Sequence, residues 1–252
     1  MPSFQLWRDL YSYYRGCRDR ELREFYDLES RLPYFDHVSL ILCAHKRRLL
    51  LQWISQGPIR GPILELGSGI GTFARQLGRR GHQVLAVDIS AAKTLKAQRL
   101  TARQSARRPL PVSHLVGDLR ELSPGTALAV EIQKVLRWPA LQQFEVLVAA
   151  DVLEHVPDPP HETLRRVRDV LAPLGRFFTS VPSRLCRHDP GHFWTLLPHE
   201  WEHVFTESGF HIQRRHMSRL CWYGLPTPLS LAMVYELHPV VTAHQRSSAD
   251  KR

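Results

Sequence analysis

Apolar residues recur every three or four positions over residues 1–56. Phe4, Trp7, Leu10, Tyr11 and Tyr14 form one set; Val38, Ile41, Leu42, Leu49 and Trp53 form another around a basic Lys46-Arg47-Arg48 step. That spacing predicts helices, each with one buried face. Gly57-Pro58 and Gly61-Pro62 punctuate the end of the segment. From residue 63 the period changes. Short apolar, often β-branched runs at 63–66, 83–87, 111–116, 144–150 and 176–181 alternate with helical patterns at 72–80, 91–105 and 161–171. Such alternation predicts an α/β fold with a doubly wound, mostly parallel sheet. Beyond Pro182 a polar loop leads to a helix near 198–208, and strands near 210–215 and 229–237 bring the expected sheet to seven strands. The organisation expected is a helical N-terminal segment or lid over 1–56, an α/β domain over 57–242, and a disordered polar tail over 243–252.

Composition narrows this picture only by exclusion. The 252 residues are 43% hydrophobic and 23% charged, which suits a globular domain and excludes collagen-like, disordered and disulfide-knot chains. The longest apolar stretches fall short of the ~20 residues a membrane helix needs. Arg8 and Asp9 stand where a signal peptide would carry its apolar core, so a cytoplasmic protein is expected. Cys17, Cys43, Cys186 and Cys221 are scattered without a C-x-x-C pair and read as reduced single thiols. The formal charge is +10, with arginine supplying 29 of the 34 basic residues. Those arginines look dispersed over helices and loops.

Candidate chemistry concentrates at Glu65-Leu66-Gly67-Ser68-Gly69-Ile70-Gly71, after an expected strand and before an expected helix. Glycines there let the backbone turn tightly and approach a ligand, and the helix N-terminus offers free N–H groups. Asp88 ends the second strand, 17 residues after Gly71, where an acid can accept both hydroxyls of a ribose. The dinucleotide spacing G-x-G-x-x-G fails, because position 72 is Thr72.

Four segments together resemble class I S-adenosylmethionine-dependent methyltransferases, in particular the small-molecule branch that includes the ubiquinone and menaquinone methyltransferases. They are Glu65 to Gly71, Val87-Asp88-Ile89-Ser90, Gly117-Asp118-Leu119, and Ala150-Asp151-Val152-Leu153-Glu154-His155-Val156. The turn Leu171-Ala172-Pro173-Leu174-Gly175 is similar too, although Leu174 stands where a second glycine is usual. The resemblance implies a Rossmann-like sheet with an antiparallel last strand inserted next to strand five, and S-adenosyl-L-methionine as cofactor. It further implies that Gly67, Ser68, Gly69 and Gly71 pass under the methionine and ribose portion, with Glu65 orienting the ammonium. Asp88 would hold the ribose diol and Asp118 the adenine amino group, with Ile89 and Leu119 flanking the ring. Asp151 and Val152 would line the pocket wall.

The acceptor implied is a small molecule, first an oxygen, which needs its proton removed. Histidine suits that task near neutral pH, and His155 at the end of strand four is the candidate base; its rival use is packing or capping. His188, His192 and Trp194 follow strand five, where relatives place acceptor-binding residues. Tyr34, Phe35 and Trp53 are lid candidates, with helix packing as the alternative.

Three other readings compete. His199-Glu200-Trp201-Glu202-His203 matches H-E-x-x-H, the zinc hydrolase signature. It lacks the extended form, because positions 206 and 209 are Thr206 and Gly209, and Glu236 is the sole distant third ligand. A nucleic-acid methyltransferase would use Arg103 with Arg107-Arg108, Arg165-Arg166 with Arg168, and Arg214-Arg215. A non-catalytic relative would bind the cofactor without transferring the methyl group. No metal is expected.

Overall fold

The computed structural model describes residues 22–30, 43–184, 191–222 and 225–240. The first apolar set (4–14), Tyr34, Phe35, His188 and the tail 243–252 lie outside those residues. In chain order the elements are α1 (Leu22–Glu29), α2 (Ala44–Ile54), β1 (Ile63–Leu66), α3 (Thr72–Arg79), β2 (Val84–Asp88), α4 (Ala91–Ser105), β3 (Val112–Val116), α5 (Ala127–Leu136), β4 (Phe144–Ala150), α6 (Pro160–Val170), β5 (Leu171–Pro182), α7 (Pro198–Glu207), β6 (Phe210–Trp222) and β7 (Leu225–Pro239). Short 3₁₀ turns follow β3 at Leu119–Glu121 and β4 at Leu153–His155.

The seven strands form one sheet in the order β3-β2-β1-β4-β5-β7-β6. β1 to β5 are mutually parallel, and β7 runs antiparallel between β5 and β6. The expected mostly parallel seven-stranded sheet is therefore present, including the inserted antiparallel strand. β1, β2 and β4 are apolar apart from Glu65, Asp88 and Glu145 because both faces are covered. Leu64, Leu66, Leu85, Val87 and Leu147 face α5, α6 and α7, joining Ile132, Val167, Trp201 and Phe205. The alternate positions Ile63, Val84, Ala86, Val146 and Val148 face α2 and α3, joining Leu50, Trp53, Phe73 and Leu77. Period-two alternation thus feeds two cores from one run of residues.

Helix starts follow local chemistry. Ser90 caps α4, its Oγ accepting from Lys93 N (3.0 Å), and Thr126 caps α5. Pro160 and Pro198 occupy first-turn positions of α6 and α7, where a missing N–H costs nothing. α5 was not among the expected elements, and β5, β6 and β7 are longer than the runs that announced them. The parallel register aligns Leu66 with Val87 and with Ala149, so three strands end together and their following loops meet at one edge. Ligands in open α/β sheets bind at that edge.

Candidate functional site

The turn after β1 has Gly67, Gly69 and Gly71 at φ of 63°, 54° and 70°, a region that side chains with a Cβ rarely occupy. At Gly67 the constraint is also steric, because a Cβ there would stand 2.4 Å from Val152 Cγ2. The end of β4 is thereby pressed against the turn. Gly69 differs: a Cβ there would meet nothing within 4 Å, so its backbone faces open volume.

Asp88 holds the turn from below. Its Oδ2 accepts Gly69 N–H (2.6 Å) and its Oδ1 accepts Ser90 N–H (2.9 Å). Burial pushes its carboxyl up from the ordinary value, while Lys93 and the two N–H bonds pull against that shift. Glu65, at the end of β1, is buried and its Oε2 has no hydrogen-bond partner. Burial, and then the charge of Asp88, push its pKa up to about 8, with Arg75 opposing. A buried carboxyl with an unmatched oxygen suits a cationic donor brought by a ligand.

Asp118 follows β3. Burial works against its ionised form, but hydrogen bonds and charge from Arg120 outweigh that and hold it below the usual aspartate value. Arg120 grips both of its oxygens (2.8–3.1 Å). Ile89 and Leu119 are half-buried beside Asp88 and Asp118. The three acids and the glycine turn thus stand at the same carboxyl edge of the sheet.

Asp151 closes β4 at φ 57°, an unusual backbone for a non-glycine residue. Several bonds hold it there. Its N–H reaches Ser180 Oγ (3.0 Å), its Oδ1 accepts from the same hydroxyl (2.7 Å), and its Oδ2 is ion-paired with Lys46. Lys46 is buried on α2, and burial lowers its pKa. Lys46→Met should leave Asp151 without its counter-charge and lower stability by about 1–2 kcal/mol, since the aspartate is partly open to water. Thermal unfolding would register that loss, and an unchanged Tm would remove the pair from the account.

His155 lies in the 3₁₀ turn after β4. Its Nδ1 bonds Gly191 O (2.8 Å), and a carbonyl can only accept, so Nδ1 carries the proton and Nε2 the lone pair. Its ring meets Tyr26 edge-on at 6.2 Å and His192 at 4.8 Å. Tyr26 belongs to α1 and also lies under the Lys93 ammonium (4.5 Å). Its neighbour Asp27 bonds Ser90 Oγ and Ala92 N–H, the latter at 3.1 Å. Helix α1 therefore fastens to the start of α4 and brings an aromatic ring to His155.

Among the residues expected from sequence, Glu65, the glycines with Ser68, Asp88, Ile89, Asp118, Leu119, Asp151, Val152, His155 and His192 lie at strand ends or in the turns and loops beyond them at this one edge. Trp194 has its indole N–H committed to Val156 O (2.8 Å) and Asp158 O (3.1 Å), which pins the loop after β5 to the turn after β4. Tyr26, Asp27, Lys46 and Ser180 were not anticipated. Lys46 did carry a signal, because it sits at the same helical face as Leu50 and Trp53, where an unpaired lysine has no place.

The H-E-x-x-H match resolves differently. Glu200 Oε2 accepts Leu197 N–H (2.6 Å) and so caps α7, while His203 pairs with Glu207 (3.1 Å). Glu236 is held by Arg214 (2.7 Å) and His238 (3.0 Å) on β6 and β7. Among the described residues, the His, Cys, Asp and Glu side chains whose ligand atoms converge are Glu154, His155 and His192. No described helix is long and apolar enough to cross a membrane.

A family model described as a methyltransferase domain matches residues 34–222. The ubiquinone biosynthesis O-methyltransferase of Leptothrix cholodnii is 30% identical over 169 residues, which are 66% of this chain and 63% of that protein. The corresponding protein of Albidiferax ferrireducens is 29% identical, over 65% of this chain and 58% of its own length. The chain thus spans less than two thirds of these relatives. Among solved structures, the glycopeptide N-methyltransferase MtfA superposes with a TM-score of 0.58 at 15% identity, covering 81% of this chain and all of that one. Magnesium protoporphyrin IX methyltransferase of Synechocystis PCC 6803 superposes at 0.56 and 16% identity, covering 94% of each chain. At such identities these two likenesses concern the fold.

Proposed function

Because the chain belongs to the class I S-adenosylmethionine-dependent methyltransferase family, we propose that it methylates an oxygen of a small-molecule acceptor, with His155 as the base. The residues fit the family's cofactor. The open face of Gly69 leaves room for close backbone approach. The unmatched Oε2 of Glu65 suits the methionine ammonium. Asp88 offers a buried carboxylate to the ribose diol and Asp118 an ionised one to the adenine amino group. When bound, the cofactor supplies a methyl group on a sulfonium, and its displacement asks the protein chiefly to align an acceptor in a dry pocket.

The observation that carries the oxygen reading is the tautomer of His155. Its Nδ1–H is fixed on Gly191 O, so Nε2 can take a hydroxyl proton. Tyr26 and His192 flank that ring and would bound the acceptor. The O-methyltransferase names of the relatives support the same choice of atom. Incubating the protein with methyl-labelled cofactor and a bacterial metabolite extract tests it. Label should appear in a small organic product as an ether stable to mild base. Label confined to nucleic acid or protein, or absent, would sink the reading.

Glu65 gives a second, pH-based expectation. With its pKa near 8 against an ordinary value of 4.5, the carboxyl is neutral in the free protein at pH 7. Its raised value contributes stability that is complete below about pH 4.5 and lost as pH rises through about 8. Pairing with an ammonium favours the ionised form, so cofactor binding should release close to one proton. Affinity should climb up to about ten-fold per pH unit toward pH 8 and then level off. Calorimetry in buffers of different ionisation heats would detect the proton, and Glu65→Gln should abolish it. A binding heat independent of buffer would refute the assignment.

A further inference from the structure

The +10 charge of the chain is not dispersed as its arginines suggest. Residues 66–117 hold nine lysines and arginines and a single acid, Asp88, a balance of +8. Helices α3 and α4 contain no acid at all. α4 turns Thr94, Ala97 and Thr101 inward, where Thr101 Oγ1 meets His114 Nε2 of edge strand β3 (2.8 Å). Its other side exposes Leu95, Arg99, Ala102, Arg103 and Ala106, a stripe at three- and four-residue intervals. Arg79, ending α3, reaches Gln104 of α4 (2.9 Å). Arg99 and Arg103 of the stripe, Arg107 and Arg108 just past the end of α4, and Arg79 and Arg80 at the end of the neighbouring α3 are all exposed. Among the described residues no carboxylate pairs with any of them. In the other arginine clusters most guanidiniums meet an acid: Arg165 pairs with Asp169, Arg166 with Asp158, Arg214 with Glu236 and Arg215 with Glu202, while Arg168 bonds the Ser208 carbonyl.

We propose that this face docks the protein on an anionic phospholipid bilayer through the headgroup phosphates. Charge complementarity is the first argument, since unpaired guanidiniums bind phosphate well. Shape and composition select the bilayer over nucleic acid. The stripe is the outer side of one straight helix rather than a groove. The only Phe, Tyr or Trp in residues 66–117 is Phe73, which is buried, so no exposed ring is available there to stack on bases. Leu95, 47% exposed, and the two alanines place apolar surface between the guanidiniums, as a helix lying in a headgroup layer requires. The Arg103–Arg108 end is also remote from the catalytic edge. α4 begins at Ser90 beside Asp88 and runs about 20 Å away from it. A polyanion gripped there is held, not methylated.

Flotation of the full chain with lipid vesicles tests this. Phosphatidylcholine vesicles containing about one-third phosphatidylglycerol should carry the protein at low salt and release it at high salt, and pure phosphatidylcholine should not carry it. Arg99→Gln with Arg103→Gln and Arg107→Gln should weaken partitioning about a hundred-fold, at about five-fold per guanidinium. Calorimetric affinity for S-adenosylhomocysteine should stay unchanged and certify the fold. Should the triple variant not fold, Arg107→Gln with Arg108→Gln, past the end of α4, should still weaken partitioning about twenty- to thirty-fold. Equal flotation with neutral vesicles, no flotation with anionic ones, or undiminished flotation of a folded variant each overturns the proposal. So does retention of RNA in place of vesicles, lost in the same variants.

Discussion

Asp88→Asn should weaken binding of S-adenosylmethionine and S-adenosylhomocysteine by about a hundred-fold or more, with little loss of thermal stability in the free protein. The carboxylate faces two backbone donors, Gly69 N–H and Ser90 N–H. An asparagine can accept one of them, but its NH₂ would then point a donor at the other. One N–H in a buried site is left unmatched, and the turn that carries Gly69 loses its anchor. The oxygen that would receive the ribose hydroxyls is lost at the same time. Two charge-assisted hydrogen bonds at about 1.5–3 kcal/mol each set the scale. Calorimetry with either ligand measures the effect, and wild-type affinity in this variant would remove Asp88 from cofactor binding. Burial already strains the ionised form of Asp88, so its replacement by a neutral side chain recovers part of the folding free energy that the change removes.

Asp88 was legible in the sequence because it ends the second apolar run, which in this fold pairs beside the strand carrying the glycine turn. Glu65, Asp118, Asp151 and His155 were legible through the family resemblance, and each stands at or just beyond a strand end. β1, β2 and β4 were legible because burial on both faces leaves a mostly apolar run, interrupted only by single acids such as Glu65 and Glu145. α5 was not. Its sequence, Ala-Leu-Ala-Val-Glu-Ile-Gln-Lys-Val-Leu, is short and apolar enough to suit either period, and only packing of Leu128 and Ile132 under the sheet decides it. The sequence pattern predicts a strand over 210–215, and β6 continues through Trp222. In the folded chain Arg214 lies opposite Glu236 on β7, and Arg215 reaches Glu202 on α7, so both charges are met without breaking the strand.

The unanticipated site residues share a different cause. Lys46 meets Asp151 across 105 positions, and Asp27 meets Ser90 across 63. Pairings at that range carry no local pattern, and only a buried-face lysine hinted at one of them. The H-E-x-x-H match shows the converse, in which a strong local pattern is explained by helix capping through Glu200.

His155→Ala should lower the rate of methyl transfer by about 10²–10⁴-fold, the usual contribution of a positioned base, while leaving cofactor affinity near wild type. Two acids compete at this edge. Asp151 is committed, being ion-paired with Lys46 and bonded to Ser180, whereas the Glu154 carboxyl is buried away from solvent. His192 lies beside His155 and carries a second imidazole that could take over its task, so His192→Ala provides the control. It should cost acceptor affinity, read in KM, more than kcat, because it would bound the acceptor without receiving its proton. If His155 is the base, the wild-type rate rises with pH through an ionisation that His155→Ala abolishes and His192→Ala preserves. A purely structural role for His155 would instead slow the reaction equally at every pH and lower the Tm, since the loss would then be of the link to Gly191 rather than of a proton acceptor. Measuring kcat across pH in both variants separates these outcomes. An unchanged kcat in His155→Ala would assign the proton to water and leave His155 as the pin between the β4 turn and the loop after β5.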